Sequence, residues 1–397
     1  VLKLARDLRA EAVCWSAAYD ATTIDRDRSL QAALEEAGFR VSIVHDAPAV
    51  APDDTAAARS DGAGEGYRAL SPYVAAWQAQ SRAPHARIAR FAIAPDLATE
   101  AFPIAEEYGA SALAVSEAAA SAALDAYLAG PALGYRTARN VPASDETARL
   151  SAPLSFGVLS ARTVLARTAA RSCDRFLLAE ERASLAALER GLARRDFFLQ
   201  LGWFFSERSD VALQARMRAF AFARSHPALE TWRSGTTGYP LVDAGVRQLR
   251  ATGWMHPRAR LVVASFLCFD LGVDWRVGRD AWDDLLVEDD PALATGNWQW
   301  SAGVGADLAQ VPRIFNPMKQ ARFLDPLGAY VRRWIPELAG LPDSSVLDPA
   351  AAARRPQLAL ALFGDPTYPA PVVDHEAAGR AFLARYAAFA NGSATKP

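Results

Sequence analysis

The stretch TGYPLVDAGVRQLRATGWMHPRAR, residues 237–260, decides how the chain is read. Its centre, LVDAGVRQLRATG (241–253), reads as a helix. The stretch carries three glycines, four arginines, Asp243 and Trp254. A plain helical bundle needs no such polar groups. Three more segments share this character: YRTARNVPASDETARLSAPLSFG (135–157), VEDDPALATGNWQW (287–300) and VPRIFNP (311–317). For any one tryptophan, such as Trp203 or Trp334, filling a large core is the simplest account. The four segments together point elsewhere. Charged loops interleaved with aromatics suggest a polar cofactor with a flat ring system, held among helices.

Outward from these segments the periodicity is helical. SEAAASAALDAYLAG (116–130) has a glycine stop, and SARTVLARTAAR (160–171) and ERASLAALERGLARRDFFLQLGWFF (181–205) follow. RARLVVASFLCFDLG (258–272) is nearly all apolar and reads as a buried helix, and DHEAAGRAFLARYAAF (374–389) closes the series. The N-terminal part has a different rhythm. A helix, LKLARDLRAE, leads into a buried strand, AVCWS; the amphipathic helix DRDRSLQAALEEAGF leads into RVSIVH. Short apolar strands joined by helices favour a parallel sheet. APDDTAAARSDGAGEG (51–66) reads as a loop. The expected fold class is α/β plus all-α: a partial Rossmann-like domain over 1–77, a connector over 78–114 and a large helical domain over 115–397.

With 397 residues the chain can bury a large core, and a net charge of -2 argues against an overall basic nucleic-acid binder while leaving room for a local basic patch. The three cysteines, Cys14, Cys173 and Cys268, have no paired spacing. No disulfide or structural metal site is therefore expected, and a reducing cytoplasm fits. No uncharged apolar run is long enough for a bilayer, so no membrane partner is expected. The chain is expected to be a monomer.

The ordered segments resemble the photolyase/cryptochrome flavoproteins. TGYPLVDAGVRQLRATGWMHPRAR is similar to the pattern TGYPxVDAxMRQLxxTGWMHNRxR, VPRIFNP to FRIFNP, and TARLSAPLSFG to TSRLSPYLxFG. FLDPLGAYVRRWIPELAGLP and YPAPVVDH resemble FDPxGxYIRxWxPEL and YPxPIVDH. The resemblance runs in order from about residue 5 to 390. It implies that AEAVCWSAAYDATTIDRDRSLQAALEEAGFRV is the middle of an antenna-binding domain whose opening strand and WFRRDLR segment are missing. Such a gap would expose unpaired strand edges and puts an antenna chromophore in doubt.

The same resemblance implies FAD as cofactor and damaged DNA as partner. Tyr135, Thr147, Leu150 and Ser151 match positions that bind the flavin's phosphates and ribityl chain, and Arg195 matches the arginine at its pyrophosphate. Arg260 and Asp270 match a salt-bridged pair beside the ring, and Glu288 and Asp290 match two aspartates at the flavin edge. Trp298 and Trp275 match the inner and middle members of a tryptophan chain that re-reduces the flavin. The outer member falls at Phe222, where Trp232 or a tyrosine would have to stand in. Trp254, Met255, Arg258 and Trp300 match the lesion pocket, and Arg313 matches a residue that meets DNA phosphate. His256 is expected to be a packed structural residue.

Departures cluster at the lesion pocket. The family's dimer-binding glutamate falls at Gly191, its tryptophan at Arg194, an asparagine at Pro257, and the asparagine facing flavin N5 at Ala294. Loss of an acceptor for the lesion's polar edge should weaken its binding. The leading reading is light-driven electron transfer to a pyrimidine dimer in DNA, impaired by these changes. A cryptochrome-like blue-light sensor is the alternative, and an inactive chain that keeps the fold without flavin is a third.

Overall fold

A computed structural model describes residues 1–59, 65–80, 116–144, 146–288, 290–306, 311–353 and 368–393. The expected connector, 78–114, lies almost wholly outside these residues. Two strands, β1 (Ala12–Ser16) and β2 (Arg40–Val44), pair in parallel with Val13 opposite Val41 and Trp15 opposite Ile43. The helix Ala21–Glu36 joins them, its first turn capped by Asp20, which accepts from the Thr23 amide at 2.9 Å. The strands were expected to be buried. Instead each alternates exposed and half-buried residues, so one face of the described sheet meets solvent. These two strands support an α/β element but not the finer Rossmann-like expectation. The segment 51–66, read as a loop, contains a helix, Pro52–Ala57, begun by a proline with Asp53 and Asp54 in its first turn.

Helices make up the rest of the described fold. The longest, Ala179–Phe204, runs through the middle. It packs against Leu70–Ala79 through Tyr73 and Trp77, and against Pro291–Ser301 at Gly296. A Cβ on Gly296 would sit 2.2 Å from a Phe198 ring carbon, so only glycine permits this approach. Asp196 secures the N-terminal segment to this helix. It accepts from the Ala49 amide at 2.8 Å, the Val50 amide at 3.3 Å and the Trp77 indole at 2.9 Å.

The stretch 237–260 folds for reasons visible in its residues. Pro240 opens the helix Pro240–Thr252, and Gly253 ends it in the left-handed region at φ 66°. Asp243 turns back over the helix start and accepts from the Thr237 hydroxyl (2.6 Å), the Thr237 amide (2.8 Å) and the Gly238 amide (3.0 Å). Tyr368, from YPAPVVDH, donates to the same carboxylate. Gly238, at φ 79°, lies against Ala370, where a Cβ would come within 2.5 Å of the backbone. TGYP and YPAP are thus two halves of one joint. The apolar run 258–272 divides into a helix, Pro257–Ser265, and a π-helical turn, Phe266–Asp270. Among the described residues no helix is long and apolar enough to cross a membrane.

Candidate functional site

Three of the polar segments converge on Glu288. One of its carboxylate oxygens lies 2.6 Å from Arg260 Nη1, and the other accepts from Ser151 Oγ at 3.3 Å. Arg260 stands on the helix Pro257–Ser265, Ser151 opens the short helix Ser151–Ser155, and Glu288 lies just before Pro291–Ser301. Arg260 Nε also donates to the Met255 carbonyl at 2.9 Å. The expected pairing of Arg260 with Asp270 is corrected here. Asp270 sits at the end of the π-helical turn, and its Oδ1 lies 2.5 Å from His375 Nδ1. Glu288 comes to Arg260 from the loop before Pro291–Ser301, whereas Asp270 ends the π-helical turn against His375 of YPAPVVDH. That hydrogen bond raises the His375 pKa above its usual value, and burial raises that of Asp270.

Arg195 forms a second centre. Its two terminal nitrogens donate to the carbonyls of Ala47 (2.8 Å) and Leu154 (3.3 Å), with Asp196 at 3.6 Å and Asp290 at 3.9 Å. A guanidinium has five N–H donors, so these contacts leave capacity for an anion. Asp290 caps Pro291–Ser301 through the Leu293 amide at 3.3 Å. Burial pushes the Asp196 pKa up to about 6. Leu150 follows Arg149, which holds a left-handed φ of 44° although it is not glycine. That conformation sets the Arg149 guanidinium 4.4 Å over the Trp254 ring.

Thr147 Oγ1 and Asp270 Oδ2 are buried without hydrogen-bond partners. Buried polar atoms are normally satisfied, so a polar ligand is the natural complement to such atoms. Hydroxyls at Thr147 and Ser151, a cation at Arg195 and the Arg260–Glu288 pair make a donor set that fits FAD.

A third group joins basic and aromatic side chains. Trp300 carries guanidiniums from Arg194 (5.3 Å) and Arg313 (5.7 Å). Arg258 Nε donates to Asn140 Oδ1 at 2.9 Å, and Arg139 lies 5.6 Å over Tyr135. Met255, expected at the pocket, is instead wholly buried, with its sulfur near Gly245. The reason is packing: Gly245 leaves a hollow on the neighbouring helix that the thioether fills. His256 is buried. Its Nδ1 accepts from the Arg258 amide at 3.1 Å, and its amide donates to Gln248 at 2.9 Å. Arg139, Asn140, Arg149 and His375 were not singled out in the sequence. Only the first three lie in a segment already marked as polar.

Trp298 is buried, with Trp282 at 4.5 Å and Trp232 at 6.5 Å between ring centroids. Its six-membered ring rests on Gly278, where a Cβ would come within 2.2 Å. Trp275, also buried, has the Arg276 and Arg279 guanidiniums 5.4 Å from its ring. Phe222 packs on Phe220 and Phe382.

Comparison with known proteins gives the family and its structural neighbours. Residues 188–388 match the sequence family described as the FAD binding domain of DNA photolyase, and residues 1–90 match the DNA photolyase family. The deoxyribodipyrimidine photo-lyase of Halobacterium salinarum is 35% identical over 387 residues, covering 94% of this chain and 78% of that protein. A bacterial class III photolyase from Agrobacterium tumefaciens superimposes with a TM-score of 0.82 at 30% identity, over 98% of this chain and 81% of its own. A Synechocystis sp. cryptochrome gives 0.79 at 28% identity, again over 98% and 81%.

Proposed function

The chain belongs to the DNA photolyase family, and on that premise we propose that it is an FAD flavoprotein that binds damaged DNA and splits pyrimidine dimers with light. The observation that carries this reading is the meeting of Ser151, Arg260 and Glu288, from three distant segments, at one half-buried point. Reduced FAD, once excited, supplies the electron that opens the dimer.

The chain's own residues prepare that chemistry. Arg195 meets the diphosphate with its remaining donors, while Asp290 fixes the helix beside it. Thr147 and Ser151 offer hydroxyls, and Tyr135 and Leu150 wall the cofactor. The Arg260–Glu288 pair would set the polarity at the ring, and Asp270, held by His375, would offer its second carboxylate oxygen. Trp298 and Trp275 are the tryptophans that would pass an electron toward the flavin, and Trp282 and Trp232 lie beside Trp298. Trp254 and Trp300 flank the flipped lesion, and Arg258 and Arg313 face its phosphates. The domain division proposed is the one expected: an α/β part over 1–77, a connector over 78–114 and the FAD-binding part over 115–397.

A cryptochrome-like sensor is the second reading. It is favoured by Gly191 and Arg194, which put a guanidinium where a dimer calls for an acceptor. The deciding measurement uses FAD-loaded, chemically reduced protein with an irradiated oligonucleotide. Light-dependent loss of dimers is expected. If dimers persist while flavin occupancy is full, the repair reading fails and the sensor reading replaces it.

A further inference from the structure

Arg149 holds a left-handed φ of 44°, one of two non-glycine residues to do so among the described residues. A residue with a Cβ is strained there, so its surroundings must hold it. On one side the chain runs at once into residues of the candidate cofactor site. Leu150 precedes the helix Ser151–Ser155, Ser151 Oγ donates to Glu288 at 3.3 Å, and the Leu154 carbonyl accepts from Arg195 Nη2 at 3.3 Å. On the other side the Arg149 guanidinium lies 4.4 Å from the Trp254 ring centroid, closer than Arg194 or Arg313 lies to Trp300. Arg149 is exposed, whereas Trp254 is only 9% exposed. The guanidinium thus covers the indole from outside.

Trp254 follows Gly253, which is left-handed at φ 66° and ends the helix Pro240–Thr252. Its backbone is held locally: the amide donates to Thr252 Oγ1 at 3.3 Å, and the carbonyl accepts from the same hydroxyl at 3.1 Å. Its ring meets the edge of His256, 6.1 Å away at 90°, and the Arg149 guanidinium. The setting of the ring therefore depends on Arg149. The setting of Arg149 depends in turn on a segment whose Thr147 Oγ1 is buried without a hydrogen-bond partner. A ligand that satisfies Thr147 holds that segment in place, and with it the contact on Trp254.

We propose that Arg149 is a positioning residue that couples the flavin-binding segment 147–151 to Trp254, a wall of the pocket that receives DNA. The inference deepens the proposed function and rests on it for the identity of the two ligands. The link is a single contact between a cation and a ring face. Flavin bound at the segment sets the indole for DNA, and DNA bound at the indole holds the segment for flavin. Each ligand then tightens the other by the same factor, as any coupling between two sites requires.

The test uses the full chain loaded with FAD. Loaded protein is diluted with and without a saturating, dimer-containing oligothymidylate, and the recovery of flavin fluorescence gives the FAD dissociation constant in each state. Fluorescence anisotropy of the labelled oligonucleotide sets the saturating concentration for each protein. Wild type is expected to hold FAD about tenfold more tightly when the oligonucleotide is bound. In Arg149→Gln and in Arg149→Gly that factor should fall to about one. Glycine suits a φ of 44° and relieves the backbone, so its loss of the factor would not come from a distorted segment. An arginine that only supported the fold, or only touched DNA, would change an affinity and leave the factor between the two FAD constants as it is in wild type. The inference is overturned if either folded variant keeps the wild-type factor, or if wild type binds both ligands without coupling; the proposed function then stands. If FAD-loaded wild type does not bind the oligonucleotide at all, the DNA reading falls and takes the inference with it.

Discussion

Replacing Glu288 by glutamine would leave the Arg260 guanidinium facing a neutral group at a half-buried position. The loss of a charged hydrogen bond there should cost about 2 kcal/mol of flavin affinity. Equilibrium dialysis of FAD against Glu288→Gln measures it; unchanged affinity would mean that the pair is peripheral to the cofactor. Gly191→Glu tests the opposite face. The open space toward Tyr135 accommodates a longer side chain, and an acceptor restored there should tighten binding of a dimer-containing oligonucleotide about tenfold. A gel-shift titration reads this, and no gain would show that Gly191 does not face the lesion. Both residues were marked in the sequence, but which residues they meet was not. The resemblance gave Arg260 a carboxylate and named the wrong one, because a charged pair separated in sequence is chosen by the loop that brings it close.

The helices Trp275–Asp283 and Pro291–Ser301 meet where Trp298 rests on Gly278. A methyl group on Gly278 would lie 2.2 Å from one Trp298 ring carbon and 2.5 Å from Leu267 Cδ2. Gly278→Ala should therefore destabilise the chain by about 1–3 kcal/mol through overpacking. It should also shift tryptophan emission as the Trp298–Trp282 contact changes. Urea unfolding followed by fluorescence reports both, and wild-type stability would mean that the helices separate readily. This contact was not legible in the sequence. Trp298 could be noticed, but its neighbours Trp282 and Trp232 depend on how three helices cross.

At the scale of the molecule, two buried carboxylates tie distant parts together. Asp196 holds the Ala49 and Val50 amides and the Trp77 indole against the long helix. Asp196→Ala would strand these donors and should cost about 3 kcal/mol. Calorimetric melting checks this, and an unshifted transition would show that water replaces the carboxylate. Asp270 holds His375, and so joins the π-helical turn to the C-terminal helix His375–Ser393. A histidine whose folded pKa is raised adds stability that is full below its unfolded value, about 6.5, and fades as pH rises through the folded value. Burial raises the Asp270 pKa, so stability also falls as pH rises through the range just above about 3.9. Stability should therefore fall from pH 6 upward, and His375→Asn should flatten that fall. Urea midpoints across pH 6 to 9 measure the slope, and equal slopes in both proteins would remove His375 from the account.

The helical character of the chain beyond residue 115, the parallel pairing of β1 and β2 and the family were determined by the sequence itself, because each rests on local periodicity or on motifs read in order. TGYPLVDAGVRQLRATGWMHPRAR could be recognised as a unit, since its proline, glycines and Asp243 act within a few residues of one another. Only the tertiary structure decided that Arg260 meets Glu288, that Asp270 meets His375, that Met255 fills the hollow at Gly245 and that Arg194 lies over Trp300. Each of those outcomes depends on which side chains arrive at one place from segments far apart, and neither spacing nor composition carries that distance.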